Sequence, residues 1–211
     1  MIRILGAGAW GTALAVLWGR PHDGVATAQL ELVAHSRADA ASIASHQENT
    51  RRLAGVTLPA SVHVRSIEED LEPLGATDVV VVAVPSEAIR NALPRAAVGT
   101  ARLVIASKGL SREGERTSES AVASGVDPAS ILILSGPNLA GEIAHGKPAA
   151  AVLAVRGASG EDLLSQLARP TLRLYLSDDP IGVEIAGSLK DRKSTRLNSS
   201  HMSESRMPSS A

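Results

Sequence analysis

The feature that most constrains this chain stands at its start. Ile2-Arg3-Ile4-Leu5 is a short strand-like run, Gly6-Ala7-Gly8-Ala9-Trp10-Gly11 follows at once, and Thr12-Ala13-Leu14-Ala15 continues as a helix. Gly6, Gly8 and Gly11 have the G-x-G-x-x-G spacing. Between a strand and a helix each glycine has a task. Gly6 makes the tight turn, Gly8 lets the backbone come close to a pyrophosphate, and Gly11 lets the helix pack closely on the strand. The N–H groups freed at the turn and the positive end of the helix then face the phosphates. The spacing alone is common; its place between an apolar strand and an Ala/Leu helix selects the dinucleotide reading.

Composition narrows the class. The 211 residues suffice for one good core, or one domain and part of another. Hydrophobic residues make up 44% and charged residues 20%, a globular balance. A net charge of −1 and a pI near 6.6 argue against a nucleic-acid or membrane surface. The chain has no cysteine, which excludes disulfides and thiolate metal sites, and no metal site is assigned. No apolar run reaches membrane-spanning length, and no basic-then-apolar segment precedes the first strand, so the expected compartment is the cytoplasm. With no Phe, one Tyr and two Trp, the core must come from Ala, Val, Leu and Ile.

The order of elements predicts an α/β fold with a doubly wound, mostly parallel sheet. After strand Ile2–Leu5 comes a helix from about Trp10 to Arg20, a polar turn over Pro21 to Thr27, and strand Leu30–Ala34. That strand exits as His35-Ser36-Arg37, with no carboxylate before Asp39. An acidic residue there would hold a ribose 2′-hydroxyl; an arginine suits a 2′-phosphate, so Arg37 points to NADPH. A helix from Arg37 to about Glu48 and a loop from Asn49 to Pro59 follow, then an extended Val62–Val64. Ser66-Ile67-Glu68-Glu69 resembles a capping box opening a short helix. Asp78 to Pro85 is a β-branched run, the mark of a central parallel strand buried on both faces. A helix is predicted over Ser86–Arg95, with Ala88, Ile89, Ala92 and Leu93 on one face.

Strand Leu103–Ala106 leads into Ser107-Lys108-Gly109, which puts Lys108 on the ligand side of such a sheet. A polar helix spans about Glu113 to Ser124. Strand Ile131–Leu134 opens into Ser135-Gly136-Pro137-Asn138, a turn that offers N–H groups and an amide to a small polar ligand, or else uses Asn138 as a helix cap. Strands Ala149–Val155 and Leu172–Leu176 flank a helix over about Ser159–Ala168, and Pro180 opens a last helix reaching Lys190.

Asp191 to Ala211 departs from this pattern. Seven of its 21 residues are serine, and it holds two of the three methionines. Such a segment cannot bury a core and is expected to be disordered. The change falls inside a helix with no cap, and the segment reads as translated adapter or assembly sequence joined to a truncated frame. The expected organisation is residues 1–190 as a nucleotide-binding domain and 191–211 as a non-native-looking tail.

Taken together, Gly6 to Ala15, Val84-Pro85-Ser86, Ser107-Lys108-Gly109-Leu110, Ser135 to Glu142 and Gly182 to Lys190 resemble the bacterial-type NAD(P)-dependent glycerol-3-phosphate dehydrogenases, in the family's order. The resemblance implies a Rossmann-type domain and interconversion of sn-glycerol 3-phosphate and dihydroxyacetone phosphate by hydride exchange with NADPH or NADH. It implies Gly6, Gly8, Ala9, Trp10, Gly11, Arg37, Lys108 and Ala140 as cofactor contacts. Lys108, Gly136 and Asn138 would contact substrate, and Lys190 would accept the proton in the oxidation direction. It implies no nucleic-acid or membrane partner, and it leaves a homodimer of the full-length enzyme open. The residue types suit the chemistry. A lysine of lowered pKa can take and return the hydroxyl proton at C2, and a second lysine can polarise the carbonyl.

The chain departs from the family in three places. Asp191 stands where the pattern has Asn. Loop Asn49–Gly55 lacks the usual tyrosine and proline, so no cofactor role is assigned to it. The helical C-terminal domain, which supplies a Gly-Arg-Asn motif for the substrate phosphate, is missing. The expectation is an incomplete copy that binds NADPH weakly, turns over little, and exposes apolar area on its last helix. The alternatives are a hydroxyacid or ketopantoate reductase type of two-domain dehydrogenase, or a non-catalytic nucleotide-binding fragment.

Overall fold

The computed structural model describes residues 1–21, 29–111, 113–156 and 160–189. Its frame is an eight-stranded sheet built from β1 (Ile2–Leu5), β2 (Leu30–Ala34), β3 (Val62–Ser66), β4 (Val79–Val82), β5 (Arg102–Ile105), β6 (Ile131–Ser135), β7 (Ala149–Ala154) and β8 (Leu172–Ser177). The order is β3-β2-β1-β4-β5-β6-β7-β8. All neighbours are parallel except β6 and β7. The order reverses between β1 and β4. In a doubly wound sheet the ligand crevice opens there, at the carboxyl ends of the strands.

Alternation along each strand sorts side chains onto two faces. Ile2, Ile4, Val79, Val81, Val104 and Leu132 face one core; Leu5, Val80, Val82, Leu103, Ile105 and Ile133 face the other. Every residue of β4 is fully buried, as its unbroken valine run requires. The first face is covered by α1 (Ala9–Gly19), α2 (Arg37–His46), α5 (Ala140–Ala144) and α6 (Glu161–Leu167); the second by α3 (Ile89–Ala92) and α4 (Thr117–Ala123). Helix α1 is buried from Gly11 to Gly19 because α5 packs on its outer side. Trp18, 1% exposed, donates its indole N–H to the Leu167 carbonyl at 2.9 Å, tying α1 to α6. Residues 180–189 form a last helix, α7.

Three predicted helices differ in extent. Ser86–Arg95 divides into α3 and flanking 3₁₀ turns, Ser86–Ala88 and Leu93–Arg95. Pro94 has no N–H to extend an α-helical ladder. The helix expected from Glu113 begins at Thr117, because Ser111–Glu115 closes a turn through Gly114 at φ +84°. Ser66–Glu69 makes one half of a capping box (Ser66 N to Glu69 Oε1, 2.9 Å), while Ser66 Oγ accepts from the Glu68 N–H at 3.1 Å and the Glu69 N–H bonds the Ser66 carbonyl, and the segment stays a turn. There the Ile67 N–H is taken by Ala34 of β2, and Pro73 requires an extended Glu72. Most of the turn over Pro21–Thr27, the start of the helix expected from Ser159, Lys190 and the tail 191–211 lie outside the described residues.

Arg65 and the Ser66 backbone hold the Glu69 carboxyl below its ordinary value. A depressed carboxyl contributes stability above its unfolded pKa and loses it as pH falls through the folded one. Glu69→Gln is therefore expected to lower Tm at neutral pH, with the gap closing as pH drops below about 4. Thermal melts across that range check it; a pH-independent gap would exclude the carboxylate.

Candidate functional site

The site is assembled from loops that leave the carboxyl ends of β1, β4, β5 and β6. At the first, Gly6 has φ +113°, and a Cβ there would stand 2.9 Å from the Ala83 carbonyl. A Cβ on Gly11 would stand 1.9 Å from the Gly6 oxygen. Gly6 is therefore demanded by packing against β4's exit, and Gly11 by the close approach of α1 to the turn itself. Gly8 differs: among the described residues nothing lies within 4 Å of an added Cβ, and its φ of −76° is open to any residue. The fold does not need a glycine at Gly8, so the open space above it is left for a ligand. No side chain caps α1 and no acidic residue stands in its first turn. Its leading N–H groups and positive end are left to an anion. The turn fits a diphosphate on this geometry.

Trp10 and Lys108 meet over this turn. Lys108 Nζ lies 5.7 Å from the centre of the Trp10 ring, a cation–π distance. The Trp10 indole N–H is buried and has no hydrogen-bond partner among the described residues, an arrangement that a bound acceptor would relieve. Ser107 Oγ donates to the carbonyls of Val82 and Val84, at 3.2 and 2.5 Å, and so fixes the loop carrying Lys108 to the exit of β4. Ala9 and Ala140 begin α1 and α5, and Ala140 packs against the same core as Trp10.

Arg37 opens α2 at the end of β2, with Ser36 capping the helix by accepting the Asp39 N–H at 3.1 Å. Arg37 is exposed, and its guanidinium donates to the Glu68 carbonyl at 3.1 Å. Arg51 reaches Asp39 at 2.9 Å beside it. At the end of β6, a Cβ on Gly136 would stand 2.7 Å from the Ala150 carbonyl and 2.9 Å from Asn138 Nδ2. The close antiparallel approach of β7 thus requires this glycine. The N-cap of α5 is Leu139 and no side chain caps it, so Asn138 does not serve as a cap. Asn138 and Pro137 line a cavity of about 190 Å³ with Glu142, Ile143 and Ala149.

Helix α7 is fastened beside this edge. Its Glu184, 6% exposed, accepts from the Thr117 hydroxyl, the Ser118 N–H at 2.9 Å and the Ser118 hydroxyl at 2.6 Å. A Cβ on Gly187 would stand 2.4 Å from Ser135 Oγ, so α7 runs close over the end of β6. Lys190 follows α7 directly in sequence and lies outside the described residues. Ile181, Ile185 and Leu189 form an exposed apolar stripe on α7. Glu184 and Asn49, the latter hydrogen-bonded to the glycine turn, are polar residues that sequence reasoning missed; both act on partners far away in the chain.

Comparison with known proteins agrees with this geometry. A profile of the family described as NAD-dependent glycerol-3-phosphate dehydrogenase N-terminus matches residues 1–160. The chain is 39% identical over 189 residues to glycerol-3-phosphate dehydrogenase of the NAD(P)+ type from Acidiphilium cryptum, covering 89% of this chain and 55% of that protein. It is 40% identical over 193 residues to the enzyme of that name from Deinococcus radiodurans, again covering 89% and 55%. The crystal structure of glycerol-3-phosphate dehydrogenase from Coxiella burnetii superposes with a TM-score of 0.74 at 28% identity, covering 90% of this chain and 57% of that one. A reductive aminase from Aspergillus terreus shares the fold alone, at 16% identity and a TM-score of 0.58. The chain spans little more than half the length of the relatives it matches. The glycine turn, the Trp10–Lys108 pair, the Gly136-Pro137-Asn138 turn and the family match over residues 1–160 together establish that this chain belongs to the NAD-dependent glycerol-3-phosphate dehydrogenase family, with the N-terminal, nucleotide-binding fold of that family.

Proposed function

We propose that this chain is the cofactor-binding part of an enzyme that interconverts sn-glycerol 3-phosphate and dihydroxyacetone phosphate, supplying glycerol 3-phosphate for phospholipid synthesis. The observation that carries the reading is the convergence of an uncapped helix end, an open Gly8 and the Trp10–Lys108 pair on one crevice. In this reading residues 1–190 are the cofactor-binding unit and 191–211 take no part. The cytoplasm is the compartment that goes with this reading. A nicotinamide, when bound, supplies the hydride chemistry. The chain's own residues do the rest. The turn from Gly6 to Gly11 holds the diphosphate, and the Trp10 indole N–H donates to a cofactor or substrate oxygen. Lys108 places positive charge beside the reacting carbonyl, and the Asn138 amide orients the substrate. Lys190 takes the C2 hydroxyl proton in oxidation and returns it in reduction.

Calorimetric titration with NADPH tests the reading. Binding is expected, with oxidation of NADPH by dihydroxyacetone phosphate near background for this chain alone. A chain that is folded by circular dichroism yet binds neither NADPH nor NADH would overturn it. Arg37 assigns the preference. Arg37→Ala is expected to weaken NADPH about tenfold, the worth of one charge-assisted phosphate contact, and to leave NADH unchanged. An unaltered ratio of the two affinities would remove Arg37 from the 2′-phosphate.

A further inference from the structure

Asn49 bears directly on the glycine turn although it lies 42 residues away from it in sequence. It is 3% exposed. Its side-chain amide donates to the Ala7 carbonyl at 2.9 Å and to Thr12 Oγ1 at 2.8 Å. Ala7 sits between Gly6 and Gly8, and Thr12 is a fully buried residue of α1 whose own N–H bonds the Gly8 carbonyl at 3.0 Å. One amide group therefore spans the turn from its middle to the helix behind it.

Asn49 is itself well held. Its carbonyl accepts the N–H groups of Arg52 and Leu53, at 3.1 and 2.8 Å. Glu48 pairs with Thr57 across the base of the loop, and its carboxylate accepts the Gly55 N–H at 2.8 Å. The loop is closed on itself before it reaches the turn.

The consequence follows from peptide geometry. The Ala7 carbonyl and the Gly8 N–H belong to one planar trans peptide and point in opposite directions. That plane turns about ψ of Ala7 and φ of Gly8, and the missing side chain of Gly8 leaves its second hinge lightly restrained. We propose that Asn49 is the positioning residue for the cofactor diphosphate: by holding the Ala7 carbonyl inward it aims the Gly8 N–H outward, into the open space over the turn. The proposal rests on the reading of this turn as the NADPH site.

The test compares two ligands on the chain as it stands. Asn49→Asp keeps the size of the side chain but sets an acceptor against the Ala7 carbonyl; Asn49→Ala removes the donor and serves if the first variant does not fold. NADPH affinity is expected to fall at least about tenfold in either, one charge-assisted hydrogen bond to phosphate being lost. Affinity for adenosine 2′-phosphate, which has no diphosphate, is expected to hold within about twofold, on the same counting of contacts. Equal loss of both ligands would mean that Asn49 merely supports the fold, and unchanged NADPH affinity would mean that it does not aim the turn; either overturns the proposal. An unsubstituted chain that binds no NADPH would overturn the cofactor reading and this proposal with it. Binding by the unsubstituted chain with unaffected variants overturns the proposal alone.

Discussion

Gly8→Ala is expected to fold with unchanged or slightly raised stability and to lose NADPH binding by at least about a hundredfold, because a methyl group would occupy the space that the phosphate needs. Its backbone is in an ordinary region, and an added Cβ meets nothing within 4 Å among the described residues. Removing a glycine there restricts the unfolded chain, worth about 0.4–1 kcal/mol in favour of folding, which offsets the poorer N-cap that alanine makes for α1. Gly11→Ala is the opposite case. Its Cβ would fall 1.9 Å from the Gly6 oxygen, a backbone atom with no room to retreat. That variant is expected to lose about 3 kcal/mol of stability through overpacking, and cofactor binding with it. Urea denaturation and NADPH calorimetry on the two variants separate the roles of the two glycines. If Gly8→Ala bound NADPH like the unsubstituted chain, the diphosphate would not sit over this turn.

Arg3→Ala is expected to cost about 3–5 kcal/mol, the range for breaking a buried ion pair from one side. Arg3 is 1% exposed in the middle of β1. Its guanidinium bonds Glu31 of β2 at 2.6 Å and the carbonyls of Glu72 and Ala96 at 3.0 and 2.9 Å. Truncation leaves a largely buried carboxylate with only Arg65 at 3.8 Å, and the loop carbonyls without their donor. Arg3→Lys cannot restore the set, because one ammonium does not span the fork. Replacing both partners, Arg3→Met with Glu31→Leu, is expected to recover most of the loss, since neither charge is then stranded. Urea midpoints of the single and double variants decide this; a double variant as weak as Arg3→Ala would show that the carbonyls, and not Glu31, set the cost.

How much of this was legible in the sequence depended on the range of the interaction. Strand Leu30–Ala34 has the predicted bounds, and the valine run around Val79–Val82 is the buried central strand that β-branched residues without alternation imply. The glycine turn was legible because its requirements are met within six residues. Lys108 could be placed at the carboxyl end of β5, but its partner Trp10 is nearly a hundred residues away and no local pattern links them. Arg3 reads as an oddity in an apolar strand, and its carbonyl partners lie on loops that no motif marks. Over Ser86–Arg95 the apolar spacing implies one continuous helix, whereas Pro94 and the flanking 3₁₀ turns limit the α-helical part to Ile89–Ala92. Glu184 looks like an ordinary exposed-face glutamate of a helix; only the tertiary fold brings Thr117 and Ser118 to it.

Both tryptophans of the chain lie on α1, eight residues apart and thus about 12 Å along one helix axis. Trp18 is sealed between α1 and α6, with its N–H satisfied. Trp10 is half-buried at the crevice with its N–H unsatisfied among the described residues. With no phenylalanine and a single tyrosine, the near-ultraviolet spectrum of this protein is almost wholly theirs. The chain therefore carries built-in optical reporters that answer different questions. Emission from Trp18 follows the packing of the domain, and emission from Trp10 follows what enters the crevice; a Trp10→Phe chain carries the Trp18 signal alone, and its difference from the unsubstituted chain separates occupancy from unfolding without an added label.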